Sequence, residues 1–298
     1  MKILVTGGTG YVGRELVPEL MKKHEVVVLT RRKLKADFET FRGNIANFKD
    51  VRAAIKGCDA VVHLAVESNH SKPWKYHYLT TVLGTENVLR AAREESADKV
   101  VHVSSAAVLA KTQTNYVRAK VEAEAVVRRY WNDFTVPVLR PSSIYDEERV
   151  EMAGRASKFP IPRPKNRFLP VFRTSLVDCI MAALKVGCSK IYHIGDRKEI
   201  YFSEFLRAAA FPREPLFLPS VFIFPALLFS RVRFFLEDRV FETDMHELGV
   251  QPQDTFETIF KLKFGSDWEE MFYRWERPGQ DSNLRPPGFC PAPRSGTR

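Results

Sequence analysis

The feature that most constrains the fold is an alternation of short, continuously apolar runs with longer helical patterns over the first 145 residues. The runs at 2–6 and 25–30 lack alternating polar residues, which predicts strands buried on both faces, as in a parallel sheet covered by helices. Further strands are predicted at 59–65, 99–104 and 134–139, and helices at 11–23, 47–57, 76–95 and 115–131. This order is typical of an α/β fold with a doubly wound parallel sheet of the Rossmann type.

The pattern changes after Pro141, which sets the predicted domain boundaries. Residues 1–145 are predicted to form a dinucleotide-binding Rossmann domain, and residues 146–275 a small C-terminal substrate-binding subdomain. A strand near 190–195 is a candidate to return to the main sheet. Residues 276–298 are rich in Pro, Gly and Arg without periodicity, and are predicted to be a disordered tail, interpreted as a read-through extension.

The formal net charge of +10 raises the question of a nucleic-acid partner. The basic residues are scattered in short runs such as 31–33, without interleaved stacking aromatics, so no nucleic-acid partner is predicted. Four cysteines without metal-site or disulfide spacing predict reduced thiols, a cytoplasmic protein and no metal. The expected partners are a small-molecule substrate and a second copy of the chain in a homodimer.

A glycine-rich turn joins the first predicted strand to the first helix. Its pattern Gly-x-x-Gly-x-x-Gly spans residues 7–13, where a close backbone approach and a helix N-terminus can receive the diphosphate of a dinucleotide. The second strand then ends in Thr30-Arg31-Arg32, without the carboxylate that binds the ribose hydroxyls of NAD. Two arginines suit a 2′-phosphate, so NADP is the predicted cofactor, with NAD as the alternative.

Three polar side chains are the candidate catalytic residues. Ser105 follows a strand at the carboxyl edge of the predicted sheet, and Tyr116 and Lys120 share one face of the next helix because they are four residues apart. A neighbouring ammonium stabilises a phenolate, which makes Tyr116 a candidate proton donor or acceptor near neutral pH. The Ser105 hydroxyl is expected to hold the substrate oxygen.

Six stretches in this order carry a family resemblance: 6–13, 63–65, 83–89, 103–106, 116–120 and 139–141. They resemble the extended short-chain dehydrogenase/reductase family, also called the NAD-dependent epimerase/dehydratase family. The resemblance implies a Ser105-Tyr116-Lys120 trio and places Asn44 and Ile45 against the adenine. The full set of expected cofactor-contacting residues is Gly7, Thr9, Gly10, Tyr11, Val12, Gly13, Thr30, Arg31, Arg32, Asn44, Ile45, Leu64, Ala65, Val66, Val103, Tyr116, Lys120 and Pro141.

Departures from the family pattern narrow the expected chemistry. The segment between Ser105 and Tyr116 is short, Ala106 and Ala107 replace the Asp-Glu pair of sugar-nucleotide dehydratases, and no arginine stands at the usual nucleotide-diphosphate position. We therefore expect an NADP(H)-preferring oxidoreductase for a carbonyl or secondary alcohol of a small or lipophilic substrate. The alternatives are a nucleotide-sugar epimerase with the same trio and a non-catalytic NAD(P)H-binding sensor or assembly subunit.

An almost wholly apolar stretch covers residues 216–229. It is too short, and too interrupted by Pro219 and Pro225, to span a bilayer. The expected role is a buried helix of the small subdomain. A lipophilic substrate wall and a weak membrane-surface contact through 216–233 are the alternatives.

Overall fold

In the computed structural model, residues 1–33, 35–219, 237–238 and 240–276 are described. The strands are β1 Lys2–Thr6, β2 Glu25–Thr30, β3 Glu39–Arg42, β4 Ala60–His63, β5 Lys99–Val103, β6 Val138–Pro141, β7 Ser143–Tyr145, β8 Ile161–Pro162, β9 Arg167–Phe168, β10 Pro170–Phe172, β11 Ile191–Ile194, β12 Ile200–Tyr201 and β13 Phe217–Leu218. The α-helices are α1 Gly13–Met21, α2 Phe48–Ile55, α3 Trp74–His77, α4 Leu83–Glu94, α5 Asn115–Arg129, α6 Glu147–Ala156, α7 Arg173–Ala183, α8 Phe202–Ala210, α9 Thr255–Phe264 and α10 Trp268–Glu276.

The predicted doubly wound sheet is confirmed. Seven parallel strands stand in the order β3-β2-β1-β4-β5-β6-β11. The order reverses between β1 and β4, and in such sheets a ligand crevice opens at the carboxyl ends beside that reversal. The candidate strand near 190–195 is β11, which pairs with β6 and completes the sheet.

Both faces of the sheet are covered by helices, as the continuous apolar runs predict. Along β1, Ile3 and Val5 pack with α1 and α7 on one face, whereas Leu4 packs with α2, α4 and α5 on the other. Alternate side chains of a strand point to opposite faces, so a strand buried on both sides must be apolar throughout. A third, aromatic-rich core joins α6, α8, α9 and α10 in the C-terminal part of the chain.

Two predicted elements differ in detail from the structure. The strand expected at 134–139 is formed at Val138–Pro141, and Thr135 makes only an isolated bridge to Lys99. Pro137 lies between them, and a proline cannot donate a backbone hydrogen bond to a strand ladder. The helix expected at 76–95 starts at Trp74 and contains a π-helical turn, Tyr78–Val82.

The apolar stretch and the tail lie largely outside the described residues. Of the stretch, the structure describes only residues 216–219, where β13 pairs with β8. The predicted tail lies beyond the described part of the chain from residue 277, together with Cys290. Within the described ranges, no helix is long and apolar enough to cross a membrane. The three cysteines of those ranges, Cys58, Cys179 and Cys188, have free thiols.

Candidate active site

A cleft of 860 Å³ opens at the carboxyl ends of the parallel strands. It is lined by residues that follow β1, β2, β3, β4, β5 and β6 and by the first turns of α5. Every site residue predicted from the sequence lines this single cleft: Gly7, Thr9, Gly10, Tyr11, Val12, Gly13, Thr30, Arg31, Arg32, Asn44, Ile45, Leu64, Ala65, Val66, Val103, Ser105, Tyr116, Lys120 and Pro141. The structure therefore brings the predicted cofactor residues and the predicted trio together.

The glycine-rich turn leaves no room for side chains at two of its positions. Gly7 has a φ of 75°, and a Cβ there would lie 2.8 Å from the backbone nitrogen of Ala65. At Gly13, the first residue of α1, a Cβ would lie 2.5 Å from the Gly7 carbonyl oxygen. The turn is closed by a hydrogen bond of 2.9 Å from the Gly10 backbone N–H to that same carbonyl. Such a bare turn before a helix N-terminus fits the diphosphate of a dinucleotide.

The end of β2 forms a second part of the cleft. Thr30 is buried, and the Arg32 backbone N–H donates to its hydroxyl at 3.2 Å. The side chains of Arg31 and Arg32 are exposed, and neither has an ion-pair partner among the described residues. Their charges are therefore available to a ligand at this end of the cleft.

The loop after β3 lies against the end of β2. The Gly43 backbone N–H donates to the Thr30 carbonyl at 2.9 Å, and Asn44 and Ile45 follow directly. The Asn87 side chain on α4 donates to the Ile45 carbonyl at 2.9 Å. These contacts fix the two residues that the family resemblance places against an adenine.

Ser105 and Tyr116 enter the cleft from both ends of one short loop. Ser105 follows β5 and caps a 3-10 helix, Ala106–Leu109, by accepting a hydrogen bond from the Ala107 backbone N–H at 3.1 Å. Tyr116 lies in the first turn of α5, where the Thr114 hydroxyl caps the helix. The Tyr116 ring packs against His70 with 4.6 Å between ring centroids. The positive end of the α5 dipole lies at this turn and favours negative charge there.

Lys120 lies one turn further along α5 and is only 3% exposed. Its ammonium donates to the Val103 carbonyl at 2.9 Å. Burial lowers the pKa of Lys120 to about 8, against the opposing effect of the Glu124 carboxylate. Lys120 is buried and still lines the cleft, so its charged form carries a desolvation cost. Buried charges of this kind are often found at functional sites.

A largely buried ion pair lies directly behind Lys120. The Glu124 carboxylate accepts hydrogen bonds from the Ser104 hydroxyl at 2.6 Å and from the Arg140 guanidinium at 2.6 and 2.9 Å. Burial alone would raise the pKa of Glu124, but the hydrogen bonds from Arg140 and Ser104 and the charges of Arg140 and Arg128 outweigh it and hold that pKa below its ordinary value. Glu124 is therefore ionised and helps to keep Lys120 charged.

Sequence reasoning missed several residues of the cleft. Thr80 enters it from the π-helical turn, His70 from the loop after β4, and Arg149 from α6. The cleft is also lined by Thr6, Leu29, Gly43, Ser68, Ser104, Ala106, Ala107, Ser142, Ser143 and Ile144. A signal existed for Ser142–Ile144 because they directly follow Pro141, whereas nothing in the local pattern distinguishes His70 or Arg149.

Curated proteins with related sequences include two reductases that match about half of the chain. A ketoreductase from Stigmatella aurantiaca, named for 4-hydroxy-2-methyl-3-oxo-4-farnesyl-3,4-dihydroquinoline-1-oxide, is 30% identical over 49% of this chain and 51% of its own. A 2-alkyl-3-oxoalkanoate reductase from Stenotrophomonas maltophilia is 30% identical over 53% of this chain and 48% of its own. The chain thus spans about half the length of these curated relatives.

Solved structures resemble nearly the whole chain. A UDP-glucose 4-epimerase from Thermotoga maritima with UDP-glucose has a TM-score of 0.74 at 17% identity, over 88% of this chain and 97% of that one. A UDP-glucose 4-epimerase from Thermus thermophilus with NAD has a TM-score of 0.70 at 20% identity, over 89% of this chain and 100% of that one. At these identities the likeness establishes a shared fold.

The family assignment rests on the sequence profile of a family together with this fold. The profile described as the NAD dependent epimerase/dehydratase family matches residues 3–161, more than half of the chain. The matched range includes the glycine-rich turn, β1 to β6 and the trio of Ser105, Tyr116 and Lys120. The resemblance inferred from the sequence is thereby confirmed, and the chain belongs to the NAD-dependent epimerase/dehydratase family of Rossmann-fold enzymes.

Proposed function

We propose that this protein is an NADP(H)-preferring oxidoreductase that interconverts a carbonyl and a secondary alcohol on a small or lipophilic substrate. The observation that carries the proposal is the shared cleft, because Ser105, Tyr116 and Lys120 line the same space as the glycine-rich turn. A bound nicotinamide would supply or accept the hydride in that space. The side chains of this chain would then handle only the substrate oxygen and its proton.

Each member of the trio has a role that follows from its position. Tyr116 gives a proton to the substrate oxygen, or takes it back, through its phenol group. Ser105 has a hydroxyl proton left to donate to that oxygen, because its own oxygen already accepts from the Ala107 N–H. Lys120 contributes a positive charge that stabilises the phenolate of Tyr116 and can hold the cofactor ribose.

The preference for NADP rests on the end of β2. The two exposed arginines can donate charge-assisted hydrogen bonds to a 2′-phosphate. None of residues 31–36, which directly follow β2, is acidic, so no carboxylate stands there to bind two ribose hydroxyls or repel the phosphate. A guanidinium group also presents the planar fork of donors that matches phosphate geometry.

The substrate class is supported by the relatives and by the cleft lining. The two relatives described above are named as reductases of oxo compounds that carry farnesyl or alkyl groups. Ala106 and Ala107 line the cleft where a dehydratase needs an acid-base pair, so the lining supplies no such pair at this point. Carbonyl reduction requires only the trio and the cofactor.

Substitution of Tyr116 tests the proposal. Tyr116→Phe removes the only hydroxyl assigned to proton transfer, so kcat for a ketone substrate should fall by roughly 10²- to 10⁴-fold. The dissociation constant of NADPH should change little, because only one hydroxyl of the cofactor-lining set is removed. Tyr76→Phe is the control, because Tyr76 is an exposed tyrosine outside the cleft lining.

The assay needs a panel of ketones, 3-oxo acids and their alcohols, with sugar nucleotides as the epimerase comparison. Retention of most of the activity by Tyr116→Phe would show that the chemistry uses another group. Turnover of the sugar nucleotides alone would favour the epimerase alternative.

A further inference from the structure

Among the residues that the structure describes, the charged side chains that line the cleft are all basic. Four of its lining side chains are basic, namely Arg31, Arg32, Lys120 and Arg149, and none of the described lining residues is Asp or Glu. A cleft lined by charges of one sign attracts ligands of the opposite sign. The first two arginines face the predicted 2′-phosphate and Lys120 belongs to the trio, which leaves Arg149 without an assigned role.

Arg149 is held in a defined position at the cleft. It lies in the first turn of α6, where its backbone N–H donates to the capping Asp146 carboxylate at 2.9 Å. Its guanidinium stacks on the Tyr11 ring with 4.0 Å to the centroid, and its Nη1 donates to the Ile144 carbonyl at 2.6 Å. Both Tyr11 and Ile144 line the cleft themselves.

A second arginine on the same ring provides an internal comparison. Arg173 lies 4.8 Å from the Tyr11 centroid and forms ion pairs with Glu15 and Asp146. Arg149 has no carboxylate partner among the described residues, although Asp146 caps its own helix. Arg173 thus completes a structural network, whereas the charge of Arg149 is left for a ligand.

We propose that Arg149 is an oxyanion-binding residue of the cleft, taking either the dinucleotide diphosphate beside the glycine-rich turn or a carboxylate of the substrate. The two ligands present the same chemistry, a pair of oxygens that a guanidinium can bind with two parallel hydrogen bonds. The inference rests on the proposed cofactor site. It deepens that proposal because a carboxylate ligand would restrict the substrate to an oxo acid.

The test compares Arg149→Gln and Arg149→Lys with Arg155→Gln. Arg155 is on the same helix, forms a surface ion pair with Glu151 at 3.2 Å and does not line the cleft, so it controls for a lost surface charge. The diphosphate arm measures the dissociation constants of NADPH and of adenosine 2′-monophosphate, which keeps the 2′-phosphate but has no phosphate at the 5′ position. The substrate arm measures binding of 3-oxooctanoate and its methyl ester to the full chain with NADPH.

The expected result is a loss of roughly tenfold or more in one arm for Arg149→Gln, as removal of a charge-assisted hydrogen bond predicts. If the diphosphate is the ligand, NADPH binding weakens and adenosine 2′-monophosphate binding does not. If a substrate carboxylate is the ligand, the preference for the acid over its ester disappears. Arg149→Lys should keep part of the affinity, because it keeps the charge and loses the paired donors.

The proposal is overturned if NADPH affinity and the acid-to-ester ratio of Arg149→Gln both equal those of the unmodified protein. An equal loss for NADPH and adenosine 2′-monophosphate also overturns it, because that result marks a general effect of charge. Failure of the unmodified protein to bind either NADPH or NADH contradicts the proposed function itself. The two failures are therefore distinguishable.

Discussion

The two basic regions of the cleft are built in opposite ways. Arg31 and Arg32 follow β2, are exposed to solvent and have no described ion-pair partner. Lys120 is buried on α5, and behind it the buried Glu124 pairs with the largely buried Arg140. The charges of the first region stay hydrated until a ligand binds. The charges of the second region are desolvated when the chain folds.

The difference shows which charged side chains need a partner of opposite charge inside the fold. An exposed guanidinium has little effect on the free energy of folding, because it remains in water. It contributes free energy only when a ligand binds to it. A buried ion pair costs several kcal/mol in desolvation and depends on each partner to offset that cost. We therefore expect substitutions in the exposed region to change cofactor choice and substitutions in the buried region to change stability as well.

The largest effect should come from Glu124→Gln. It leaves the buried Lys120 and the largely buried Arg140 without their carboxylate partner, so the free energy of unfolding should fall by about 3–5 kcal/mol. Glu122→Gln on the same helix removes the surface pair with Arg118 and should cost about 0.5 kcal/mol or less. Chemical denaturation of both variants measures the contrast. Equal losses would show that burial does not separate the two pairs.

A smaller effect is expected from the double substitution Arg31→Ala and Arg32→Ala. NADPH binding should weaken by about 1.5–3 kcal/mol, because a charge-assisted phosphate contact is lost. NADH binding and the melting temperature should stay unchanged. Lys33→Ala is the control, since Lys33 is exposed next to Arg32 but does not line the cleft. Equal affinity of the unmodified protein for NADPH and NADH would refute the preference.

The last prediction concerns pH, and its effect is the smallest of the three when it is expressed per pH unit. The folded pKa of Lys120 is lowered to about 8 from an ordinary value of 10.5, so between these values the unfolded chain binds more protons. Stability should therefore rise with pH in this window, by at most about 1.4 kcal/mol per unit. Lys120→Met should lack this rise.

The comparison with Lys120→Met is needed because burial also lowers the pKa of Lys263 to about 8. That contribution is present in both proteins and cancels in the difference. The Arg31→Ala and Arg32→Ala protein should keep the full rise, because an arginine does not titrate in this range. Parallel stability curves for the unmodified protein and Lys120→Met would contradict the assignment.

The central strands and the predicted site were accessible from the sequence because their signals are local. An apolar run indicates a buried strand, and the glycine-rich segment after it indicates the sharp change of direction at Gly7. The strand β3 was missed for the opposite reason. Its residues, Glu-Thr-Phe-Arg, are mostly exposed at the edge of the sheet, so they carry no apolar run.

The helix α6 was missed because its apolar pattern is too sparse. Val150 is its only buried side chain, and its other positions are largely charged or small. Arg149 was missed with it, because without the helix the sequence does not distinguish this residue from an ordinary surface arginine. The Glu124–Arg140 pair could not be predicted either, because it depends on how α5 packs over β6. Contacts between elements leave no local pattern in the sequence.

The position of β11 has a consequence for synthesis on the ribosome. The strand that covers the edge of β6 is encoded well after it, beyond β7 to β10 and α7. Until residues 191–194 have emerged, the growing chain exposes an unpaired edge of a parallel sheet, the kind of edge at which nascent chains associate wrongly. The last strand thus closes the sheet late, and a gene fragment ending near residue 145 would lack it permanently.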